Sequence, residues 1–571
     1  MSKQEKSNLN PVLILGAGIN GAATARELAL NGVPVIVVDC ADLASGATSR
    51  SSRLIHGGLR YLEYGEIRLV RESLGERIRL LESAPHLIFP LRLFIPLRRR
   101  WGGLLLSLLN FSGLAHWNRL RKFVDSWFKK KDRGMWLVRL GLWFYDRFAR
   151  DNLFDTHSVH RVGSSDVPQV AAETYRWLCA YSDARITYPE RFVLEYLIDA
   201  RDAAQNVGSH FEVLTYRRTE LNGREVRISH TSDDGKTRCF RPSMVVNATG
   251  AWGDLTLSDL KIDEKKLFGG TKGSHIIVNS VVLEKAIGNA GVYSETPDGR
   301  MVFVLPFGKA VLIGTTDIRF EDRPEKAVAS QEEIEYLLEM TNTLFPNVKL
   351  ERNDIAMHYS GVRPLPNSAE SQTSAISRGQ KIQLTSQDGL KIFTMVGGKL
   401  TTGRLFGEQV ADRVLAELGI PRTGNTKNRP LPGGTSYPTD EQHLKSRKEK
   451  MQAQYSLVEE QVAELWELFG ICSEHICAAS HLIADGDLLN GTNLPLAVVN
   501  HVVQKEWVTN LSDIVERRLM LLYRPSLSRK CLEQLAECLV TAGKLNSLCV
   551  EKQIAETVNR LETIYGKKIV S

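Results

Sequence analysis

Gly16-Ala17-Gly18-Ile19-Asn20-Gly21 is the segment whose residue types and spacing point most directly at chemistry. Glycines in this GxGxxG pattern let a turn close, let the backbone approach a pyrophosphate and let the next helix pack tightly, so that phosphates sit on the positive end of that helix. Asp39 follows at the distance where a carboxylate accepts the ribose hydroxyls of a dinucleotide. Beyond it, Ser45, Thr48 and Ser49 carry hydroxyls able either to meet the pyrophosphate or to cap a helix. Two later segments return to the same chemistry. Residues 244–250 are an apolar run closing in Ala248-Thr249-Gly250, and residues 392–398 run into Gly397-Gly398. There Gly398-Lys399-Leu400-Thr401-Thr402 opens a helix whose N–H groups would point at the polar edge of a flavin. A strand ending in Ala-Thr-Gly far downstream is typical of flavoproteins, whose nucleotide fold returns to the cofactor after an inserted domain, so FAD is favoured over NAD. The sequence has no HExxH, EF-hand or cysteine-cluster pattern, so no metal is expected, and it has no GxSxG elbow.

Periodicity supplies the elements that must position these residues. Residues 12–15 are an apolar run, 22–31 have helical spacing and 33–38 are a second apolar run, which predicts strand, turn, helix, strand. Ile67, Val70, Leu74, Ile78 and Leu81 predict a helix packed on the nucleotide domain. Residues 302–305 and 311–314 predict a hairpin of a separate antiparallel sheet that roofs the substrate pocket. After Arg404 the pattern turns helical, crosses a Pro/Gly-rich linker at 421–438 and continues in amphipathic helices at 457–469 and 550–565. At 571 residues, 43% apolar and 24% charged, the chain exceeds one simple core and is neither disordered nor a disulfide scaffold. Its eight cysteines include no CxxC pair and read as reduced thiols. Neither a secretory nor a transit segment is expected at residues 1–10, and the run at 101–116 is too short and too interrupted to span a bilayer. Of the net charge of +7, residues 97–133 hold ten Lys/Arg against two Asp/Glu, a surplus of eight. The remainder is about neutral, so one basic patch is expected and nucleic acid is not.

Five motifs in order carry a family resemblance. They are Ser51-Ser52-Arg53-Leu54-Ile55-His56-Gly57-Gly58-Leu59-Arg60-Tyr61-Leu62, Lys272-Gly273-Ser274-His275, Ile313-Gly314-Thr315-Thr316-Asp317, Tyr359-Ser360-Gly361-Val362-Arg363-Pro364-Leu365 and Gly397-Gly398-Lys399-Leu400-Thr401-Thr402. Together they resemble the FAD-dependent, quinone-linked glycerol-3-phosphate dehydrogenases over about residues 11–404, and the resemblance resumes at Glu506-Trp507 and Arg517-Arg518. It implies an α/β fold: a doubly wound, D-amino-acid-oxidase-like FAD domain at 1–90, 185–260 and 359–415. An inserted antiparallel β substrate-binding cap at 91–184 and 261–358 and a helical C-terminal domain at 416–571 complete it. The implied activity is oxidation of sn-glycerol 3-phosphate to dihydroxyacetone phosphate, with electrons passed to membrane quinone. Within the motifs, Arg60, Arg363 and Lys399 are expected at the substrate, and Arg378 matches a fourth family position. Arginine's fork suits bidentate phosphate binding, and lysine suits a point contact to phosphate or alkoxide. His56 is either a general base near flavin N5 or a residue that holds the flavin, and Tyr61 either closes the pocket or packs. His275 is a weaker base candidate, read in preference as structural.

Two departures qualify the resemblance. Gly403 stands where an aromatic residue is expected in the active-site wall, which leaves substrate range open to other polyol phosphates, and the segment at 101–133 is longer than in compact members. Alternatives are an oxygen-reducing glycerol-3-phosphate oxidase, an amine or amino-acid oxidase with Arg363 on a carboxylate, and a non-catalytic flavin-binding protein. In residues 117–128, Trp117, Leu120, Phe123, Val124, Trp127 and Phe128 form one stripe flanked by Arg119, Arg121, Lys122 and Lys129 to Lys131. This is the pattern of an interfacial helix on an anionic membrane, so a cytoplasmic protein on the inner face of the cell membrane is expected. Homo-oligomerisation stays open.

Overall fold

The computed structural model describes residues 9–101, 134–149, 153–232, 237–296, 300–368, 379–480 and 486–570. Arg378 and the apolar stripe at 117–128 lie outside the described residues.

The first motif sits on a six-stranded sheet in the order Lys381–Gln387, Leu390–Val396, Val245–Asn247, Val12–Leu15, Val35–Val38, Phe211–Leu214. Every pairing is parallel except the edge pair Lys381–Gln387 with Leu390–Val396. Strands Val12–Leu15 and Val35–Val38 are buried along their whole length, which is why they read as continuous apolar runs and not as alternating ones. Helix Ile19–Leu30 follows the first strand and packs against helices Pro189–Val207 and Gly403–Leu418. Small residues let helices Ile19–Leu30 and Gly403–Leu418 approach: a Cβ on Gly407 would lie 2.6 Å from Ala23. The three strand ends that carry the glycine turns, Leu15, Asn247 and Val396, thus come from one sheet.

The second large sheet runs Ile318–Arg319, Thr271–Val278, Ala310–Gly314, Met301–Phe307, Gly291–Glu295, Ile88–Leu97, Trp177–Ile186, Leu54–Ile55. The expected hairpin is present as Met301–Phe307 against Ala310–Gly314. Strand Ile355–Arg363 pairs along Thr271–Val278, with Ser274 opposite Ser360 and Thr271 opposite Arg363. Three of the resemblance motifs therefore meet on neighbouring strands of one sheet.

Helix Ile67–Ser83 forms where expected, yet its buried face holds Glu76 and Arg77 beside Val70, Leu74 and Leu80. Both charges are paired across the fold, Glu76 with Arg404 and Arg77 with Asp183. Residues 421–438, expected as a linker, form a docked strap. Asn31 Oδ1 accepts from Thr423 N at 2.7 Å and from Gly424 N at 3.1 Å, Glu27 accepts from Thr426 N at 3.0 Å, and Asp199 binds both Arg26 and Arg429. The strap is fixed because it supplies partners to polar groups that the packing of helix Ile19–Leu30 has buried. Beyond it, helices Glu441–Tyr455, Glu459–Phe469, Cys472–Ala479, Leu496–Lys505, Arg529–Thr541 and Val550–Tyr565 build the C-terminal domain. Its apolar residues share one core with Leu54, Leu62, Val70 and Leu74 of the first hundred residues.

Candidate active site

The glycine turn shows which of its members serve the protein and which face outward. A Cβ on Gly16 would lie 2.6 Å from the Ala248 carbonyl oxygen, and one on Gly21 would lie 1.9 Å from the Gly16 carbonyl oxygen. These two glycines are demanded by the fold itself, Gly16 also by its φ of +99°. A Cβ on Gly18 would meet only Thr48 Oγ1, at 3.4 Å, among the described residues. Helix Ile19–Leu30 opens at Gly18 without a side-chain cap, and Ile19 N donates to Thr48 Oγ1 at 3.2 Å. Asp39, at the end of its strand, accepts from Ala17 N at 2.7 Å and Ala41 N at 2.9 Å, and burial pushes its carboxyl up to about 6. An uncapped helix start, an open glycine and a carboxylate at the neighbouring strand end fit the pyrophosphate and ribose of FAD. Asn20 Nδ2 donates to Gly397 O at 3.3 Å, which ties this turn to the third one. Ser49 Oγ is turned back to Gly46 O at 3.1 Å; Ser45 is half-buried, and Gly250 has φ +62° at its turn.

The second cluster joins the His56 turn to the Lys399 turn. His56 N donates to Thr401 Oγ1 at 3.1 Å, and the His56 and Tyr61 rings lie 6.4 Å apart. Lys399 Nζ sits 4.5 Å from the centre of the Tyr61 ring and donates to Ser73 Oγ at 2.6 Å. Beneath the turn, Asp183 Oδ1 accepts from Gly57 N at 3.1 Å, Tyr145 OH at 2.7 Å and Arg77 Nη1 at 3.0 Å. Gly58, with φ +81°, caps the short helix Leu59–Tyr64, which carries Arg60 and Tyr61. Histidine, tyrosine, lysine and a backbone turn are thereby brought from two stretches of chain to one place. Ser73, Tyr145 and Asp183 were not legible as site residues, since each sits within an ordinary helix or strand pattern and its partner is distant in sequence.

Arg363 ends strand Ile355–Arg363. Its Nη1 donates to Asp317 Oδ1 at 2.9 Å and Thr271 Oγ1 at 3.2 Å, and its Nη2 to Thr315 Oγ1 at 2.9 Å and Thr316 O at 3.1 Å. These partners fix the plane of the guanidinium. Thr316 is in turn held by Glu333, which also takes Ser274 Oγ at 2.8 Å and Lys272 Nζ at 2.7 Å. His275 proves structural: it is buried, stacked on Tyr359 at 4.9 Å, with Nε2 2.8 Å from Ser52 Oγ. Burial, then the positive charges of Arg363 and Arg53, bring its pKa down to about 3. A Cβ on Gly403 would lie 2.5 Å from Ile19 Cγ1, so a side chain at this position would press on the first helix.

Residues 11–413 match the family described as FAD dependent oxidoreductase, and residues 424–546 match the C-terminal domain of alpha-glycerophosphate oxidase. The fold is similar to that of a glycerol-3-phosphate dehydrogenase from Bacillus halodurans complexed with FAD, at a TM-score of 0.70 and 21% identity over 98% of this chain and 96% of that one. Fold and nucleotide turn thus define an FAD-dependent oxidoreductase. Among curated relatives, a glycerol-3-phosphate dehydrogenase of Synechocystis is 33% identical over 89% of this chain and 88% of its own length. The aerobic glycerol-3-phosphate dehydrogenase of Escherichia coli is 30% identical, and a D-erythritol 1-phosphate dehydrogenase of Brucella abortus 32%, each over 89% of this chain and 93% of the relative. The chain belongs to the FAD-dependent glycerol-3-phosphate dehydrogenase family.

Proposed function

We propose that this protein oxidises sn-glycerol 3-phosphate to dihydroxyacetone phosphate and passes the electrons to membrane quinone. The observation that carries the reading is the meeting of His56, Tyr61 and Lys399 at a turn joined by Thr401 to the glycine-rich segment. FAD, when bound, supplies the acceptor for the hydride that leaves the carbinol carbon. The chain's own groups do the rest. Arg60, Arg363 and Arg378 hold the phosphate dianion, Lys399 steadies the hydroxyl oxygen as its proton departs, and His56 takes that proton. Asp317, Thr271, Thr315 and Thr316 take the terminal N–H groups of Arg363 and keep its guanidinium in one plane, so what it offers the phosphate is a positive charge fixed in place. Flavin bleaching under anaerobic conditions across a panel of polyol phosphates, sn-glycerol 3-phosphate and D-erythritol 1-phosphate included, tests cofactor, reaction and substrate together. Lys399→Ala and Arg363→Ala are expected to keep FAD and lose bleaching by about 2–5 kcal/mol of barrier. Near-normal turnover in both holoenzymes would remove the assignment.

A membrane location is part of the same reading, because quinone is dissolved in lipid. Among the described residues no helix is long and apolar enough to cross a bilayer. Support for surface attachment comes from Trp101, 66% exposed, and Trp143 on helix Met135–Ala149, 51% exposed. Trp101 lies 5.8 Å from the Trp136 ring, over which Arg139 sits at 5.2 Å and Arg100 at 5.9 Å. Aromatic rings rimmed by arginines suit an anionic interface. Co-sedimentation with anionic vesicles at low salt, lost in Trp101→Glu with Trp143→Glu while dye-linked activity persists, is the expected result. Indifference of the wild type to such vesicles refutes it.

A further inference from the structure

The C-terminal domain carries no catalytic motif, yet it grips the loop between Asp39 and His56 at two points. Near the ribose end, Asp42 Oδ2 accepts from Arg517 Nε at 2.5 Å. Arg517 Nη1 donates to Glu516 Oε2 at 2.6 Å, and the same oxygen accepts Tyr565 OH at 2.6 Å. The Tyr565 ring lies under the Arg50 guanidinium, 5.1 Å from Cζ to ring centre, with its hydroxyl 3.5 Å from Nη2. Arg50 Nη1 then donates to Ser360 O at 3.0 Å. A continuous path therefore leaves the loop at Asp42, crosses three buried side chains of the C-terminal domain and re-enters the loop at Arg50. It ends on strand Ile355–Arg363, which carries Arg363.

Simple bracing does not need this arrangement. Apolar contacts would dock the domain without desolvating charges, and buried ion pairs are a poor way to gain stability. What fixed charges supply is position. The loop needs it: Arg53 holds φ +55°, an uncommon backbone for a bulky residue, three residues before His56. Arg50 has no slack on its other side either, since a Cβ on Gly361 would lie 2.5 Å from Arg50 Cβ.

We propose that Glu516 and Tyr565 are positioning residues: from the C-terminal domain they set, through Arg50, the register in which residues 51–58 present His56 to the flavin. The proposal rests on the reading of the His56 turn as flavin-facing. Its test uses the holoenzymes of Tyr565→Phe, which keeps the ring and removes the hydroxyl, and Glu516→Gln. Arg447→Ala, which breaks a salt bridge to Glu474 elsewhere in the domain, is the control. Expected are full FAD content, a shifted visible flavin spectrum and a limiting rate of anaerobic flavin reduction lowered about ten- to a hundredfold, with half-saturating substrate little changed. Arg447→Ala should move neither spectrum nor rate. A spectrum and rate equal to wild type in Tyr565→Phe overturns the proposal, as does an equal loss in Arg447→Ala. Should Glu516→Gln fail to fold, Tyr565→Phe alone decides. If sn-glycerol 3-phosphate leaves the wild-type flavin oxidised, the functional reading falls, while the spectral comparison still decides this one.

Discussion

His275 follows Lys272-Gly273-Ser274 in a motif that suggests catalysis, and its surroundings give it a different role. Buried against Tyr359, with Arg363 and Arg53 contributing like charge, it stays neutral in the folded protein down to about pH 3. An unfolded histidine takes up its proton near pH 6.5. The folded value lies below the unfolded one, so the unfolded chain binds the proton first, and stability present above pH 6.5 is lost as pH falls toward 3. Between pH 7 and pH 5 this group alone should remove about 2 kcal/mol. His275→Gln should therefore flatten the fall in melting temperature over that range relative to wild type; parallel curves would contradict a neutral buried ring. At this scale the sequence was informative wherever chemistry is set by the backbone nearby. Gly21, against the Gly16 carbonyl, and Asp39, on the Ala17 amide, are examples. It was silent where a side chain's partner is remote. The ion pair of Arg363 with Asp317 and the hydrogen bond of Lys399 to Ser73 depend on how two sheets and a helix meet, and no local spacing encodes that.

Among elements, the turn between strand Val12–Leu15 and helix Ile19–Leu30 separates folding from binding. Gly21→Ala should disrupt the turn itself, because its methyl would press into the Gly16 carbonyl, whereas Gly18→Val meets little protein and should fold as apoprotein. Circular dichroism and bound flavin measured together distinguish the two; yellow, flavin-saturated Gly18→Val protein would contradict the nucleotide assignment. Gly403, at the start of helix Gly403–Leu418, belongs to the same scale. Gly403→Ala overpacks Ile19 and should cost about 1–3 kcal/mol, with Ile19→Ala, which removes the clashing Cγ1, restoring part of it and substrate preference unchanged. A changed polyol phosphate preference would return this residue to the pocket wall. The strands, the hairpin and helix Ile67–Ser83 were readable because their periodicity is local. Its charged buried face was not, since Glu76 and Arg77 look like solvated positions until Arg404 and Asp183 are placed against them. The strap at 421–438 escaped for a related reason: proline and glycine content predicts absence of helix correctly and says nothing about whether the segment is docked.

Across the whole molecule, the C-terminal domain is joined to the nucleotide domain by buried charge as well as by a shared apolar core. Asp42 takes Arg518 through both oxygens at 2.8 Å, Arg191 pairs with Glu506 at 2.6 Å, and Tyr523 OH of the C-terminal domain donates at 3.2 Å to Glu190, the partner of Arg53. Burial alone would raise the Asp42 carboxyl, and Arg518 with Arg517 overturns that and holds it below its ordinary value. The recurrence of Glu506-Trp507 and Arg517-Arg518 as resemblance motifs in the tail thus acquires a physical reason: they are the seam. Such a seam makes the two domains one cooperative unit, since separating them would strand charges on both faces. Removing one partner of a buried pair is strongly destabilising, by about 3–5 kcal/mol, because the other is left uncompensated. Arg518→Met should accordingly lower the melting temperature while keeping a single transition, and Asp42→Leu should do the same. The double variant replaces the pair by apolar side chains and should regain more than half of the summed loss, the signature of direct coupling in a mutant cycle. Additive losses would mean that the domains are held by the apolar core alone and that the charges at Asp42 serve only the nucleotide loop, and a second transition in the wild type would mean that the domains are not one cooperative unit.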